Sequence, residues 1–525
     1  MKVAVYDRYW STAGGGETFA AGVAHALAGD HDVTLLTHEP LDTGWLGERL
    51  ALDLSAVSVT EVGAANRVER ASRDHDLLVN LSFKSADRNG ARRGLYVVHF
   101  PHDRYDRIPP RQTALLKRVG PLARVRRPPI VRFDAGFHDP DVVRAAKVHW
   151  TDGDGEVHIT LPPGRRAPVH LMFAPLLPEG GRVEAEIAVD GRPVGSLTVG
   201  SVASTRDLVV PPTFSTTAVG HADGTPVVIA LRSATWTPHD TLGNDDHRTL
   251  GVPVTGVAVG RSPLARARAT ASLFDEYPPS LAFLDTYDRI VANSRFTRHW
   301  IRRWWGRDAD VLYPPITERP ALAKRPIVLS VGRFFAAERG HSKKQLEMVE
   351  TWRRIVADAS LGPIVEHEGW VLHLVGGCSP HDRPYLDAVR AAAAGLPVEL
   401  HVDAPGATLD RLYREASIYW HAAGLDEDEQ VHPERMEHFG ITTVEAMSAG
   451  AVPLAFAAAG PLEAFRDGVE GFHFRTTDEL LTHTAGLLHD PARRAALAAA
   501  AVERAAAFGQ HAFRADVRRV VDSLG

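Results

Sequence analysis

Two glutamates, Glu437 and Glu445, stand eight positions apart in the string Glu437-His438-Phe439-Gly440-Ile441-Thr442-Thr443-Val444-Glu445-Ala446-Met447-Ser448-Ala449-Gly450. They bracket a Phe-Gly step and the start of a predicted helix. Glu445 falls one turn into that otherwise apolar helix. A solvated face would carry more charge, and a helix serving only the core would carry none. Gly440 allows close backbone approach to a ligand. The free N–H groups of a helix beginning near Ile441 suit a phosphate. Glu445 offers acceptors to paired hydroxyls such as those of a ribose, and Glu437, in the preceding loop, offers them to a sugar. The chemistry implied is recognition of an anionic ligand rich in hydroxyls.

Other segments carry groups that fit the same ligand. Val331-Gly332-Arg333-Phe334 places an arginine just past a strand end, and Lys343-Lys344 follows ten positions later. The guanidinium fork of Arg333 and the point charge of a lysine can hold a diphosphate and stabilise it as it departs. Gly14-Gly15-Gly16-Glu17 is predicted at a strand-to-helix turn, either cradling an anion or serving as a plain loop. It is not a dinucleotide fingerprint, because Phe19 stands where the third glycine would be needed. His99, in Val98-His99-Phe100-Pro101-His102, ends a predicted strand, where its ring can donate to a substrate or move a proton. His421, His432 and His438 lie near Asp426-Glu427-Asp428-Glu429, but their spacing matches no tight zinc motif. The acidic run therefore reads as a solvated loop, and neither a metal nor a cofactor is expected.

These residues need elements to position them. Val3–Tyr6, the glycines, Phe19–Leu27 and Val33–Thr37 have the rhythm strand, turn, helix, strand of a parallel α/β sheet. Leu77–Asn80 and Leu95–Val98 read as further buried strands. From about Arg132 to Gly260 the pattern changes to short β-patterned runs separated by turn dipeptides such as Asp190-Gly191 and Asp223-Gly224, which predicts a β-sandwich. The α/β rhythm resumes at Asp288–Ser294, and Pro314-Pro315 marks a linker. A second α/β unit begins at Ile327–Gly332 and continues through Trp370–Val375, Val398–Val402 and Ile418–His421. The predicted units are 1–130, an insert over 131–261, 262–316, 317–505 and a C-terminal helix over 506–525. Two α/β halves place the ligand in the cleft between them, at the carboxyl ends of their strands.

Composition agrees with an enzyme of this size. The chain has 525 residues, 44% of them hydrophobic, a net charge of −6 and one cysteine, Cys378. It can bury large cores, is not suited to bulk nucleic-acid binding, and has no internal disulfide. No apolar run reaches a membrane span, and the strand-like N-terminus lacks a signal-peptide core. The basic segment from Arg111 to Arg132, interleaved with Leu115, Leu116, Val119 and Leu122, is either a peripheral membrane contact or a solvated face. A cytoplasmic location, free or peripheral on the inner face of the membrane, is expected.

Taken together, the glycine turn, Val291–Thr297, Val311–Pro315, Val331–Phe334 and the Glu437–Gly450 string resemble the family 4 (group 1) glycosyltransferases. The resemblance implies the GT-B architecture of two facing Rossmann-like domains, here α/β with a β-sandwich inserted in the N-terminal domain. It implies retaining, metal-independent transfer of a hexose from a nucleotide-sugar, GDP- or UDP-linked, to a glycan or lipid-linked glycan, as in cell-envelope glycan biosynthesis. By position, Glu437 would bind the donor sugar near its reacting carbon, and Phe439, Gly440, Ile441 and Thr442 would contact sugar and phosphate. Glu445 would hold the ribose, Arg333 and Lys343 the diphosphate, with Lys344 an alternative to Lys343. His99 would line the reacting face, and Gly15 and Gly16 the phosphate or acceptor. The His99-Phe100-Pro101 step and the Glu437–Ile441 variant are similar to mannosyltransferases that use GDP-mannose. The insert would grip glycan or a partner protein, or be purely structural. A GT-B nucleotide-sugar epimerase and a non-catalytic glycan-binding protein are the alternative readings.

Overall fold

The computed structural model describes residues 1–12, 14–62, 68–102, 130–138, 141–143, 146–178, 181–201, 212–242, 246, 248–260, 281–336 and 342–524. Most of the basic 111–132 segment lies outside these residues.

The first sheet is built from β1 (Lys2–Tyr6), β2 (Asp32–Thr37), β3 (Ser58–Glu61), β4 (Leu77–Asn80), β5 (Arg93–Val98), β6 (Arg289–Ala292) and β7 (Asp310–Val311). All neighbours are parallel, in the order β7-β6-β5-β4-β1-β2-β3. Its central strands are apolar on both faces because helices cover both. Helix α1 (Gly15–Ala28) packs Phe19, Val23 and Leu27 against one of them.

Between β5 and β6 the chain leaves the sheet and forms a β-sandwich. One sheet orders the strands 213–219, 166–173, 253–259, 146–150 and 141–143. The other orders 192–200, 182–189, 227–233, 154–160 and 130–133. Inward residues of both sheets, among them Val169, Leu171, Ile187, Ile229 and Leu231, share one core. This core is separate from those of the α/β units, so the insert is a packing unit of its own.

The second parallel sheet contains β8 (Arg325–Val331), β9 (Val371–Gly376), β10 (Val398–Val402), β11 (Ala416–His421), β12 (Val452–Phe456) and β13 (Phe472–Phe474), in the order β10-β9-β8-β11-β12-β13. Helix α2 (Arg295–Trp300) connects β6 to β7 in the first half, and α3 (Gln345–Ala357), α4 (Gly406–Glu415) and α5 (Ile441–Ser448) belong to the second half. Helix α6 (Pro491–Ala505) packs on α5.

The last helix, α7 (Gln510–Asp522), returns to the first half. Phe513, Val517, Val520 and Val521 join the core of Phe19 and Val23. Its approach to α1 is close at Gly22, where a Cβ would stand 2.7 Å from Pro315 and 3.3 Å from Phe513. The amphipathic spacing of this helix is legible in the sequence; its destination is not.

Candidate functional site

Glu437 is the hub of a three-residue polar cluster. Lys343 Nζ donates to its Oε2 at 2.5 Å, and His421 Nε2 lies 2.9 Å from the same oxygen. Each partner arrives from a different element. His421 ends β11, so the sheet presents it at the carboxyl edge where α/β ligands bind. Lys343 precedes α3 and reaches Glu437 across Gly332, where an added Cβ would stand only 2.5 Å from Lys343 Cγ. Glycine after β8 thus clears the path of the lysine stem. The sequence reading missed His421 as a partner of Glu437, although its place at a strand end was the available signal.

The two lysines divide their roles. Lys344, in a left-handed conformation at the N-cap of α3, is buried and donates to Glu427 at 3.1 Å, with Arg435 on the other oxygen at 2.9 Å. Hydrogen bonds from both cations hold the Glu427 carboxyl below its usual range, although burial opposes them. The expected solvated acidic loop is therefore corrected at Glu427: Asp426 and Asp428 are exposed, while Glu427 anchors Lys344. Lys343 alone faces the Glu437 cluster.

Gly440 adopts φ +96° as N-cap of α5, a conformation that favours glycine and turns the chain from the Glu437 loop into the helix. Ile441 and Thr442 fill the first turn. Phe439 is buried against Tyr313 and Phe508, so its side chain serves the core and only its backbone can serve a ligand. Glu445 is also nearly buried. Its Oε1 takes Arg319 Nη1 at 3.0 Å and the Thr317 N–H at 3.4 Å, while Arg319 lies over the Tyr413 ring. Arg319, unremarked in the sequence, neutralises the second glutamate. Arg333 is exposed at the carboxyl end of β8, with its guanidinium over Phe335 at 5.6 Å. It has no ion pair among the described residues.

The first half brings its motifs to the same place. Gly15 and Gly16 lie in the first turn of α1 rather than in a free loop, capped by the Glu17 carboxylate on the Gly14 N–H at 2.6 Å. A Cβ on Gly15 would stand 3.4 Å from Ile441 Cδ1, and one on Gly16 would stand 3.6 Å from His99. The glycine turn, His99 and the start of α5 therefore converge across the cleft. His99 Nε2 lies 2.6 Å from the Leu81 carbonyl; a carbonyl only accepts, so this nitrogen carries the proton. Burial lowers the pKa of His99, keeping the ring neutral, so Nδ1 is the nitrogen left to accept. Asp7, just past β1, was not singled out by sequence. Its buried carboxyl is pushed up to about 7 by desolvation.

The halves are locked together by the remaining motifs. Glu463 accepts the N–H groups of Arg295 at 2.8 Å and Phe296 at 2.7 Å, and Tyr313 donates to it at 2.8 Å. Phe100, from the His99 segment, stacks on His438, from the Glu437 segment.

Residues 316–504 match the family model described as glycosyl transferases group 1. This segment is similar to the group 1 glycosyltransferases. HepE of Anabaena in complex with UDP aligns with the protein over 100% of both chains at 11% identity, with a TM-score of 0.50. A glycosyltransferase from Rickettsia africae covers 99% of this chain and 97% of its own at 10% identity, also with a TM-score of 0.50. The fold is GT-B, as the resemblance implied. A GDP-Man:Man(3)GlcNAc(2)-PP-Dol alpha-1,2-mannosyltransferase of Dictyostelium discoideum is 26% identical over 33% of this chain and 35% of its own length. A D-inositol 3-phosphate glycosyltransferase of Thermobispora bispora is 36% identical over 29% and 34%. The chain thus spans about a third of the length of these curated relatives.

Proposed function

We propose that the protein is a glycosyltransferase that moves a hexose, with retention, from a nucleotide-sugar to a hydroxyl of a glycan or lipid-linked glycan. The observation that carries this reading is the Lys343–Glu437–His421 cluster beside the start of α5, faced across the cleft by Gly15 and His99. A catalytic cleft of this kind needs acceptors for sugar hydroxyls, cation for phosphate and a close wall for the acceptor. All three are supplied by the residues present.

In this reading the helix start at Ile441 and Thr442 offers N–H groups to the donor phosphates. Arg333, exposed beside the cleft, closes on the diphosphate, and Lys343 shares its charge between Glu437 and the leaving group. Glu437 accepts from donor-sugar hydroxyls and holds the anomeric carbon against the acceptor. Glu445 and its Arg319 partner receive the ribose. The bond between the anomeric carbon and the phosphate oxygen breaks as the acceptor oxygen bonds the same face of that carbon. The acceptor proton passes to the departing phosphate oxygen, so no protein nucleophile is needed. His99 Nδ1 accepts from a substrate hydroxyl and orients it. The curated relative that names GDP-Man and the HepE complex with UDP support GDP- or UDP-linked donors.

The test is a thermal-shift screen with GDP, UDP and ADP, followed by nucleotide release from the matching sugar donors with and without acceptor glycans. Stabilisation by one nucleotide and acceptor-dependent release are expected. No stabilisation by any of the three overturns the donor site. Release without an acceptor, with conversion of the sugar, overturns transfer in favour of epimerisation.

A further inference from the structure

A second cluster of chemistry-bearing side chains lies away from the cleft. His373 is on β9, and Glu399 and His401 are two apart on the edge strand β10, so all three project from one face of the sheet. His373 pairs in register with Glu399, and Val375 with His401, which makes the two histidines diagonal neighbours. His373 Nδ1 and His401 Nε2 are 2.9 Å apart, and one Glu399 oxygen, Oε2, lies 3.5 Å from each of them.

These three atoms form a nearly even triangle. A tetrahedral zinc ion with bonds of about 2.0–2.1 Å has ligand-to-ligand edges of about 3.3 Å. The observed edges of 2.9, 3.5 and 3.5 Å scatter around that value. A hydrogen bond between the rings accounts for one edge only; it does not bring a carboxylate oxygen to the same distance from both nitrogens. We infer that His373, Glu399 and His401 form a binding site for a divalent cation of borderline softness, zinc above the others, with a water as fourth ligand.

The surroundings fit that assignment. Imidazole nitrogens and a carboxylate are the zinc donor set, whereas magnesium and calcium prefer oxygen alone. His373 is buried and His401 half-buried, so the protein holds both rings in place against the sheet. The Glu399 side chain is 59% exposed, which leaves a solvent side for the water. The two positive charges that face the site, Arg325 and Arg411, are both paired with Glu415, at 3.4 and 2.7 Å. A cavity lined by Arg325, Gly369, Val371, His373 and Glu399 leads to the cluster from the amino-terminal ends of β8 and β9. The donor residues sit at the opposite ends of these strands. An ion here would clip the edge strand β10 to β9 and would take no part in transfer.

The experiment uses the full chain, treated with chelator and then titrated with Zn2+ against a chromophoric competitor, with thermal unfolding followed in parallel. One equivalent of Zn2+ should bind and raise Tm. His401→Ala and Glu399→Ala should each weaken binding at least ~10-fold, and Mg2+ should not substitute. Stabilisation by the nucleotide found in the donor screen should be unchanged in both variants, showing that they fold and that the two sites are separate. Absence of Zn2+ binding, or equal binding by the wild type and both variants, overturns the site. Neither result touches the donor cleft.

Discussion

Phe100 and His438 stack face to face across the interdomain cleft, with ring centroids 4.0 Å apart and planes 5° from parallel. Phe296 packs beside both rings, 5.8 Å from Phe100 and 6.3 Å from His438. Each ring follows or precedes a residue proposed to meet substrate: His99 before Phe100, Glu437 before His438. The stack therefore couples the acceptor wall to the donor loop. An aromatic pair of this kind contributes about 0.5–1.5 kcal/mol beyond its buried area. Phe100→Leu should lower transfer by about 2- to 12-fold if that coupling is realised in the transition state. Thermal shift by the bare nucleotide should stay unchanged. Equal losses in both assays would contradict a coupling role.

Glu437 and Lys343 make a charge-assisted contact at low exposure, so removing either leaves the other exposed to a large desolvation cost. Glu437→Ala is expected to cut transfer more than it cuts binding of bare nucleotide, because its task is the sugar. Lys343→Met should weaken both, by about 1–3 kcal/mol for nucleotide binding. Gly332→Ala should resemble Lys343→Met in milder form, since its new Cβ would press on the lysine stem. Calorimetric nucleotide titration beside initial-rate assays separates these cases.

Glu445 and Arg319 are 11% and 12% exposed, so Glu445→Ala leaves a nearly buried guanidinium with only Asp410, at 3.4 Å, and the Thr317 carbonyl as polar partners. That should destabilise the fold by about 1–3 kcal/mol in denaturant melts. Replacing both, as Glu445→Ala with Arg319→Met, should restore most of the stability but not the nucleotide binding. If the double variant recovers binding as well, Glu445 does not hold the ribose.

Asp7 gives a pH dependence whose sign is determined by burial. Its carboxyl titrates at about 7 in the folded chain against 3.8 as the reference value. Between those values the native state holds a proton that the unfolded state has lost, so stability falls as pH rises from about 4 to 7. The cost amounts to a few kcal/mol at most, about 1.4 kcal/mol for each pH unit. Asp7→Asn should flatten the profile of Tm between pH 5 and 8. An unchanged slope in the variant would show that Asp7 is not its source.

Several of these features were legible before any fold was known. The Glu437–Gly450 string, the strand ends at Arg333 and His99 and the shift to short strands near Arg132 are local patterns. They depend on periodicity, glycine and the chemistry of side chains, which a linear reading sees. The roles of Lys343 and Lys344 could not be separated in this way. Adjacent lysines differ only in direction, and that direction comes from the left-handed backbone at Lys344 and the Glu427 pocket that receives its amine. Gly460-Pro461-Leu462-Glu463 is a further signal that went unread. Its carboxylate looks like a surface charge until the start of α2 is placed against it.

The sequence by itself determined which residues could do chemistry and what kind. Two carboxylates around a glycine and a helix start suit hydroxyls and phosphate whatever surrounds them. Tertiary structure decided the partners: Lys343 and His421 on Glu437, Arg319 on Glu445, Gly15 against Ile441, and α7 against α1. Those pairings join residues up to hundreds of positions apart. They depend on strand order, the carboxyl edges of two sheets and the cleft between them, none of which is written in local spacing.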